Sequence, residues 1–209
     1  MSGQSAERVS MPCKSHRLGQ RFHDAFLFAS TSHAEQTRKQ TTTPYIAHLM
    51  SVSALVLEAG GDEDLAIAAL LHDVVEDCGG KPMLEEVRKR FGPRVAYVVA
   101  GCTDSDTYPK PPWRQRKEIY LEHLQTADAD VRLVSAADKL HNAREILRDY
   151  RAEGELVWQR FGGRREGTLW YYRALAEEFR RTPGNRLVDE LDRVIAELDR
   201  LVQRGESAR

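Results

Sequence analysis

Residues Ala68 to Asp77 read Ala-Ala-Leu-Leu-His-Asp-Val-Val-Glu-Asp, so an apolar run leads directly into four side chains that bind metals or move protons. At about 100° per residue, a helix through this segment places all four within roughly 140° of arc. The four are His72, Asp73, Glu76 and Asp77. Leucine and valine lie among and opposite them, which leaves no clean solvated face. Because buried carboxylates need a metal, a cation or hydrogen bonds, the pattern favours an internal polar site over an acidic surface helix.

Helical periodicity continues on both sides of this central segment. We predict a first helix over 21–34, a second over 45–59 with Thr43 as its cap and Pro44 at its first position, and a central helix from Asp62 to the glycines after Cys78. Further helices are predicted over 82–91, 95–101, 113–124, 127–150, 168–181 and 187–202, the last capped by Asn185. Strand alternation is not convincing anywhere, so the fold class is all-α. We expect a disordered tail over 1–17 and a single helical domain over 18–209.

Composition excludes several classes of protein. The 209 residues carry a formal net charge of −1, which provides no basic field to attract nucleic acid. The three cysteines form an odd set without framework spacing, which is typical of a reducing compartment. No apolar run approaches the roughly 20 residues that span a membrane, and the N-terminus lacks the apolar core of a signal peptide. We therefore expect a cytoplasmic protein with no membrane or nucleic-acid partner.

Two further candidate ligands come from other helices. His48 lies beside the apolar face of the second helix, where a lone histidine is more often a core residue than a ligand. Asp138 interrupts the apolar stripe of the long helix over 127–150, where a salt bridge to an arginine is the alternative. One divalent cation where three helices converge would satisfy both residues together with His72 and Asp73. Two imidazoles and two carboxylates suit Mn²⁺ or Fe²⁺ better than Zn²⁺, and such a site supports metal-assisted hydrolysis.

Four motifs in this order resemble the HD-domain phosphohydrolases of the RelA/SpoT type, in particular the stand-alone small alarmone hydrolases and the metazoan SpoT homologue. The motifs are Arg38-Lys39, Thr43-Pro-Tyr-Ile-Ala-His48, Leu70-Leu-His-Asp-Val-Val-Glu-Asp77 and Ala137-Asp-Lys-Leu-His-Asn142. The resemblance implies an all-helical HD fold and one Mn²⁺ per chain. It also implies hydrolysis of the 3′-pyrophosphate of ppGpp (guanosine 3′,5′-bis-diphosphate) to GDP and pyrophosphate.

The resemblance assigns roles by motif position. The metal ligands that it implies are His48, His72, Asp73 and Asp138. The residues that would position or deprotonate the attacking water are Glu76 and Asp77. The implied substrate contacts are Arg38, Lys39, Asn142 and, through a looser match, Arg165.

Two other functions stay open. An HD phosphohydrolase could act on another nucleotide, such as ppApp, NADPH or a nucleoside monophosphate, and a non-catalytic nucleotide-binding module is a third reading. The basic pairs Arg38-Lys39 and Arg116-Lys117 favour a highly phosphorylated substrate over a monophosphate. The expected partner is thus a small nucleotide, and the sequence leaves a homo-oligomer open.

Overall fold

A computed structural model describes residues 17–105, 109–181 and 184–207, and regular structure within them is helical, which confirms the all-α prediction. The predicted tail over 1–17 lies outside the described residues except for Arg17. The first five helices are α1 Gln20–Ser32, α2 Ile46–Glu58, α3 Glu63–Leu71, α4 Val74–Cys78 and α5 Gly80–Phe91. The others are α6 Pro93–Cys102, α7 Trp113–Thr126, α8 Ala129–Glu153, a 3₁₀ helix Gly154–Arg160, α9 Arg164–Arg180 and α10 Arg186–Ser207.

Short polar side chains begin several of these helices. Asp62 accepts a hydrogen bond from the amide of Leu65 at 3.1 Å, and Asn185 accepts one from Leu187 at 2.9 Å, so both predicted caps are confirmed. Asp128 caps α8 in the same way through Val131 at 3.0 Å. These caps satisfy amides that have no carbonyl partner inside the helix.

The predicted start of α2 is wrong. The helix begins at Ile46, after Tyr45, and the side chain of Thr43 does not cap it. Instead, the Thr43 carbonyl accepts the amide of Arg38 at 2.9 Å, and the amide of Tyr45 donates to Gln36 at 2.9 Å. These two bonds fold the connection between α1 and α2 back on itself, and this pairing within the loop therefore overrides the helix signal of Thr43-Pro44.

The central segment is two helices rather than one. His72 and Asp73 separate α3 from α4, although their backbones stay in the right-handed helical region. His72 donates from Nδ1 to the carbonyl of Ala69 at 2.8 Å. That carbonyl is the acceptor that the Asp73 amide would use in a continuous α-helix. The imidazole thus occupies the acceptor at the point where the helix is interrupted.

Helix α3 forms the centre of the fold. All seven of its residues from Leu65 to Leu71 are buried, as predicted for a helix enclosed nearly all round. It packs against α1, α2, α6 and α8, while α10 packs against α8 and α7 against α9. In the part of the chain described, no helix is both long and apolar enough to cross a membrane.

Candidate metal centre and nucleotide cavity

Three separate elements bring His48, His72 and Asp138 together. His48 lies on α2, His72 follows α3 and Asp138 lies on α8, and all three are buried. Their ligand atoms lie within 4.8 Å of one another. Asp138 Oδ1 is 3.3 Å from Nε2 of His48 and 3.5 Å from Nε2 of His72, and the two Nε2 atoms are 3.3 Å apart. The structure thus contains a compact group of three potential metal ligands.

Asp73 lies against this group without being one of the three. Its Oδ2 is 3.0 Å from Nε2 of His72 and 3.6 Å from Nε2 of His48. The same oxygen accepts a hydrogen bond from the hydroxyl of Tyr45 at 2.6 Å. Burial would raise the pKa of Asp73, but its contacts with the two histidines hold that pKa well below its ordinary value. Asp73 is therefore an anion beside the two imidazoles, and its place as a fourth ligand stays a prediction.

The donor set fits a divalent cation. Because the Ala69 carbonyl can only accept, Nδ1 of His72 carries the proton, and Nε2 of the neutral ring presents a lone pair. That lone pair faces carboxylate oxygens of Asp73 and Asp138, an arrangement that is repulsive without a cation between them. Burial lowers the pKa of His72, yet the two carboxylates outweigh it and raise that pKa well above its usual range. The site thus attracts positive charge at the position that a metal would use.

Lys139 and Asn142 fix the orientation of Asp138. The ammonium of Lys139 donates to Oδ2, and the amide of Asn142 donates to Oδ1. Burial would raise the pKa of Asp138, but Lys139 and the bonds from the two histidines hold it well below its ordinary value. The cation beside Asp138 is therefore the neighbouring lysine rather than an arginine. The carboxylate stays ionised and available to the centre.

Glu76 and Asp77 lie outside the group of three and differ in their surroundings. Glu76 accepts a hydrogen bond from Lys110 at 2.8 Å and lies 3.9 Å from Arg116. Burial raises the pKa of Glu76, nearby Asp104 adds to the rise, and Lys110 opposes it. Asp77 accepts from the side-chain amide of Gln36 at 2.8 Å and lies 3.8 Å from Lys110. The pKa of Glu76 thus moves toward neutrality.

A cavity of about 410 Å³ opens beside these acids. Its lining combines cationic and acidic side chains. The cations are Arg38, Lys39, Lys110, Arg116, Lys117, Lys139 and Arg160, and the acids are Asp73, Glu76, Asp77, Asp138, Glu145 and Asp149. Asp104 holds two of the cations, because Arg116 and Lys117 both donate to its carboxylate. Burial would raise the pKa of Asp104, but these cations lower it to about 2. The start of α7 therefore presents charge to the cavity, whereas Arg114 stacks on Trp170 with its guanidinium carbon 3.2 Å from the ring centroid.

The predicted nucleotide contacts separate into two groups. Arg38, Lys39 and Asn142 line the cavity, and Arg38 donates to Oδ1 of Asn142. Arg165 is not brought to the cavity lining, and its guanidinium lies 3.8 Å from Glu155 on the 3₁₀ helix. The role of Arg165 as a substrate contact stays a prediction.

An aromatic ring and two hydroxyl groups form another part of the cavity lining. Trp113 packs so closely on Gly163 that an added Cβ would lie 2.6 Å from a ring atom. Thr168 and Tyr171 also line the cavity and are buried, and their hydroxyls have no hydrogen-bond partner among the described residues. Such hydroxyls are costly to leave unpaired, so a bound polar ligand would stabilise them.

Four residues of the site were missed by reasoning from the sequence. Tyr45, Lys139 and His141 lie within the motifs quoted above but were given no role there, and Lys110 lies in the loop before α7. His141 contacts His48, with the two Nδ1 atoms 2.9 Å apart. Burial lowers the pKa of His141 to about 3, with His48 and Arg38 adding to the effect. The sequence feature that could have identified His141 is a polar cluster on one helical face, since residues 138, 141 and 142 are spaced i, i+3 and i+4.

A buried His-His-Asp centre within an all-helical chain defines the class of protein. Residues 25–169 match the family model described as HD domain, and the chain belongs to the HD-domain family. It is 39% identical over 128 residues to guanosine-3′,5′-bis(diphosphate) 3′-pyrophosphohydrolase MESH1 of Xenopus tropicalis, covering 60% of this chain and 69% of that relative. It is 33% identical over 132 residues to the bifunctional (p)ppGpp synthase/hydrolase SpoT of Escherichia coli, covering 60% of this chain and 18% of that relative.

A solved structure supports the same relationship. It is described as a metazoan ortholog of SpoT that hydrolyzes ppGpp, and it matches with a TM-score of 0.72 at 30% identity. The match covers 87% of this chain and 97% of that chain. The resemblance to RelA/SpoT-type HD phosphohydrolases seen in the sequence is therefore confirmed.

Proposed function

We propose that this chain is a metal-dependent hydrolase that removes the 3′-pyrophosphate of ppGpp and releases GDP and pyrophosphate. The observation that carries the proposal is the meeting of a buried His48–His72–Asp138 group with a cavity whose lining places seven cationic side chains beside the acids Glu76 and Asp77. The similarity to MESH1 and to a ppGpp-hydrolysing SpoT ortholog supports this substrate over other nucleotides.

The ion we propose is Mn²⁺, one per chain, which the family resemblance implies and which His48, His72, Asp138 and Asp73 would hold. Imidazole nitrogen and carboxylate oxygen together form a borderline-to-hard donor set, which Mn²⁺ accepts. When bound, a divalent cation withdraws charge from a phosphoryl group and lowers the pKa of water. The chain supplies the rest of the chemistry through residues around the ion.

Glu76 is the residue that takes the proton from the attacking water. Its carboxylate is mostly buried, and its raised pKa suits a general base that works near neutral pH. The water oxygen forms a bond to the phosphorus attached to the ribose 3′ oxygen. The phosphorus–oxygen bond to the ribose then breaks, and the 3′ oxygen takes up a proton as GDP leaves.

Asp77 has an orienting role beside this base. Gln36 holds its Oδ2 at 2.8 Å, and the Oε1 atom of Gln36 lies 2.7 Å from Nδ1 of buried His33. This chain of contacts orients the Gln36 amide toward the carboxylate. Asp77 therefore stays an acceptor at a set position, which suits alignment of the water rather than its deprotonation.

The cationic side chains bind the phosphates of the nucleotide. Lys110 and Arg116 lie beside Glu76, so they can contact the pyrophosphate that leaves. Arg38 is held by Asn142 and lies 5.5 Å from the ring centroid of Tyr45. This places its guanidinium at the wall of the cavity, where it can contact the nucleotide together with exposed Lys39.

Turnover of a nucleotide panel with Mn²⁺ tests the proposal. We expect release of pyrophosphate from ppGpp with a kcat/KM well above the values for ppApp, NADPH and a nucleoside monophosphate. Loss of turnover in Glu76→Gln, with Mn²⁺ still bound, would support the assigned base. Tight ppGpp binding without turnover would instead indicate a nucleotide-binding module, and preferred turnover of another nucleotide would replace the substrate.

A further inference from the structure

His48 and His72 are oriented toward the centre by different means. His72 is held by a backbone carbonyl, the 2.8 Å contact from Nδ1 to Ala69. His48 also points Nε2 at the centre, but its Nδ1 faces the side chain of His141 on α8 instead of a backbone carbonyl. The two Nδ1 atoms are 2.9 Å apart, and the ring centroids are 4.8 Å apart.

The position of one proton decides whether His48 can bind a metal. A neutral imidazole has one donor nitrogen and one acceptor nitrogen. If Nε2 is to coordinate the ion, the proton must be on Nδ1, and this N–H needs an acceptor because the ring is only 1% exposed. The His141 nitrogen at 2.9 Å is in position to accept it. The opposite arrangement, with His141 donating, would place the His48 proton on Nε2 and block coordination.

We propose that His141 is a positioning residue that holds His48 in the Nδ1-protonated form, so that Nε2 stays available to the metal. The inference rests on the proposed metal-dependent function. It assigns a role to a residue that neither ligates the ion nor contacts the reacting atoms. Removing an acceptor of this kind commonly weakens metal binding by about 10- to 100-fold.

A matched pair of substitutions tests the role. Asn and Leu have nearly the same shape, but only Asn can place an acceptor oxygen near the former Nδ1 position. We expect the Mn²⁺ dissociation constant of His141→Leu to rise by about 10- to 100-fold, and that of His141→Asn to stay within about threefold of the unchanged protein. Exposed His123 on α7 supplies a control, and His123→Leu should bind Mn²⁺ normally.

Free Mn²⁺ followed by electron paramagnetic resonance measures these affinities without any nucleotide. Thermal unfolding in a chelator shows whether both variants fold, and the Mn²⁺-induced rise in Tm provides a second readout. Equal Mn²⁺ affinity of the Leu and Asn variants, whether both high or both low, would overturn the role of the hydrogen bond. Failure of the unchanged protein to bind Mn²⁺ would overturn the proposed function itself and this inference with it.

Discussion

Replacing Lys110 with Met should move the acid limb of the pH–rate profile to higher pH. Glu76 must be ionised to act as a base, so activity is present above its pKa and is lost as pH falls through it. Lys110 donates to Glu76 at 2.8 Å and thereby stabilises the carboxylate, against the effects of burial and Asp104. Without that ammonium the pKa of Glu76 rises further, and activity is lost at a higher pH than before.

The size of this shift follows from the exposure of the pair. The Lys110 side chain is 37% exposed and that of Glu76 is 21% exposed, so solvent screens the interaction in part. Exposed ion pairs are worth about 0.2–1 kcal/mol. At about 1.4 kcal/mol per pKa unit, this corresponds to roughly 0.1–0.7 unit. The mostly buried carboxylate favours the upper half of that range.

The assay is the pH dependence of kcat/KM for ppGpp at saturating Mn²⁺, because kcat/KM reports the ionisation of the free enzyme. Metal content is measured at each pH to separate loss of the ion from protonation of the base. Lys110→Arg keeps the positive charge and serves as the control, with an expected shift near zero. A carbon-13 titration of labelled glutamate side chains, assigned with Glu76→Gln, measures the same pKa without turnover. An acid limb that stays in place in Lys110→Met, or moves to lower pH, would refute the assignment of Glu76 as the base.

Three further predictions concern the metal, the nucleotide and the fold. Asp138→Ala should lower both metal content and the Mn²⁺-dependent part of Tm, because it removes a ligand on α8; full occupancy measured by elemental analysis would exclude Asp138 as a ligand. Arg38→Ala should raise KM for ppGpp about tenfold or more with metal content unchanged. Its effect on KM should not add to that of Asn142→Ala, since the two side chains are hydrogen-bonded. Gly163→Ala should destabilise the fold by about 1–3 kcal/mol in urea unfolding, because the new Cβ would lie 2.6 Å from the Trp113 ring; unchanged stability would mean that the ring moves freely.

Local sequence was sufficient for the helical architecture and for much of the site. The periodicity of apolar residues and the caps at Asp62 and Asn185 act within a few residues, so they can be read from one segment at a time. An aspartate within an apolar stripe and a histidine beside another are costly without partners, and that cost identified Asp138 and His48. Both residues are in the group of three that the structure assembles.

Only the tertiary structure decided how these groups are oriented. The break between α3 and α4 and the start of α2 follow from short-range hydrogen bonds that apolar periodicity does not reveal, from His72 to Ala69 and within the loop that carries Arg38. The longer-range contacts are a separate case. The neighbours of Glu76 and His48 come from segments 34 and 93 residues away, namely Lys110 and His141. The period of apolar residues and the helix caps carry no information about such distant pairs, because these pairs depend on how whole helices pack. The chemical types in the site are thus set locally, whereas their protonation and roles are set by contacts that form only when α2, α4 and α8 come together.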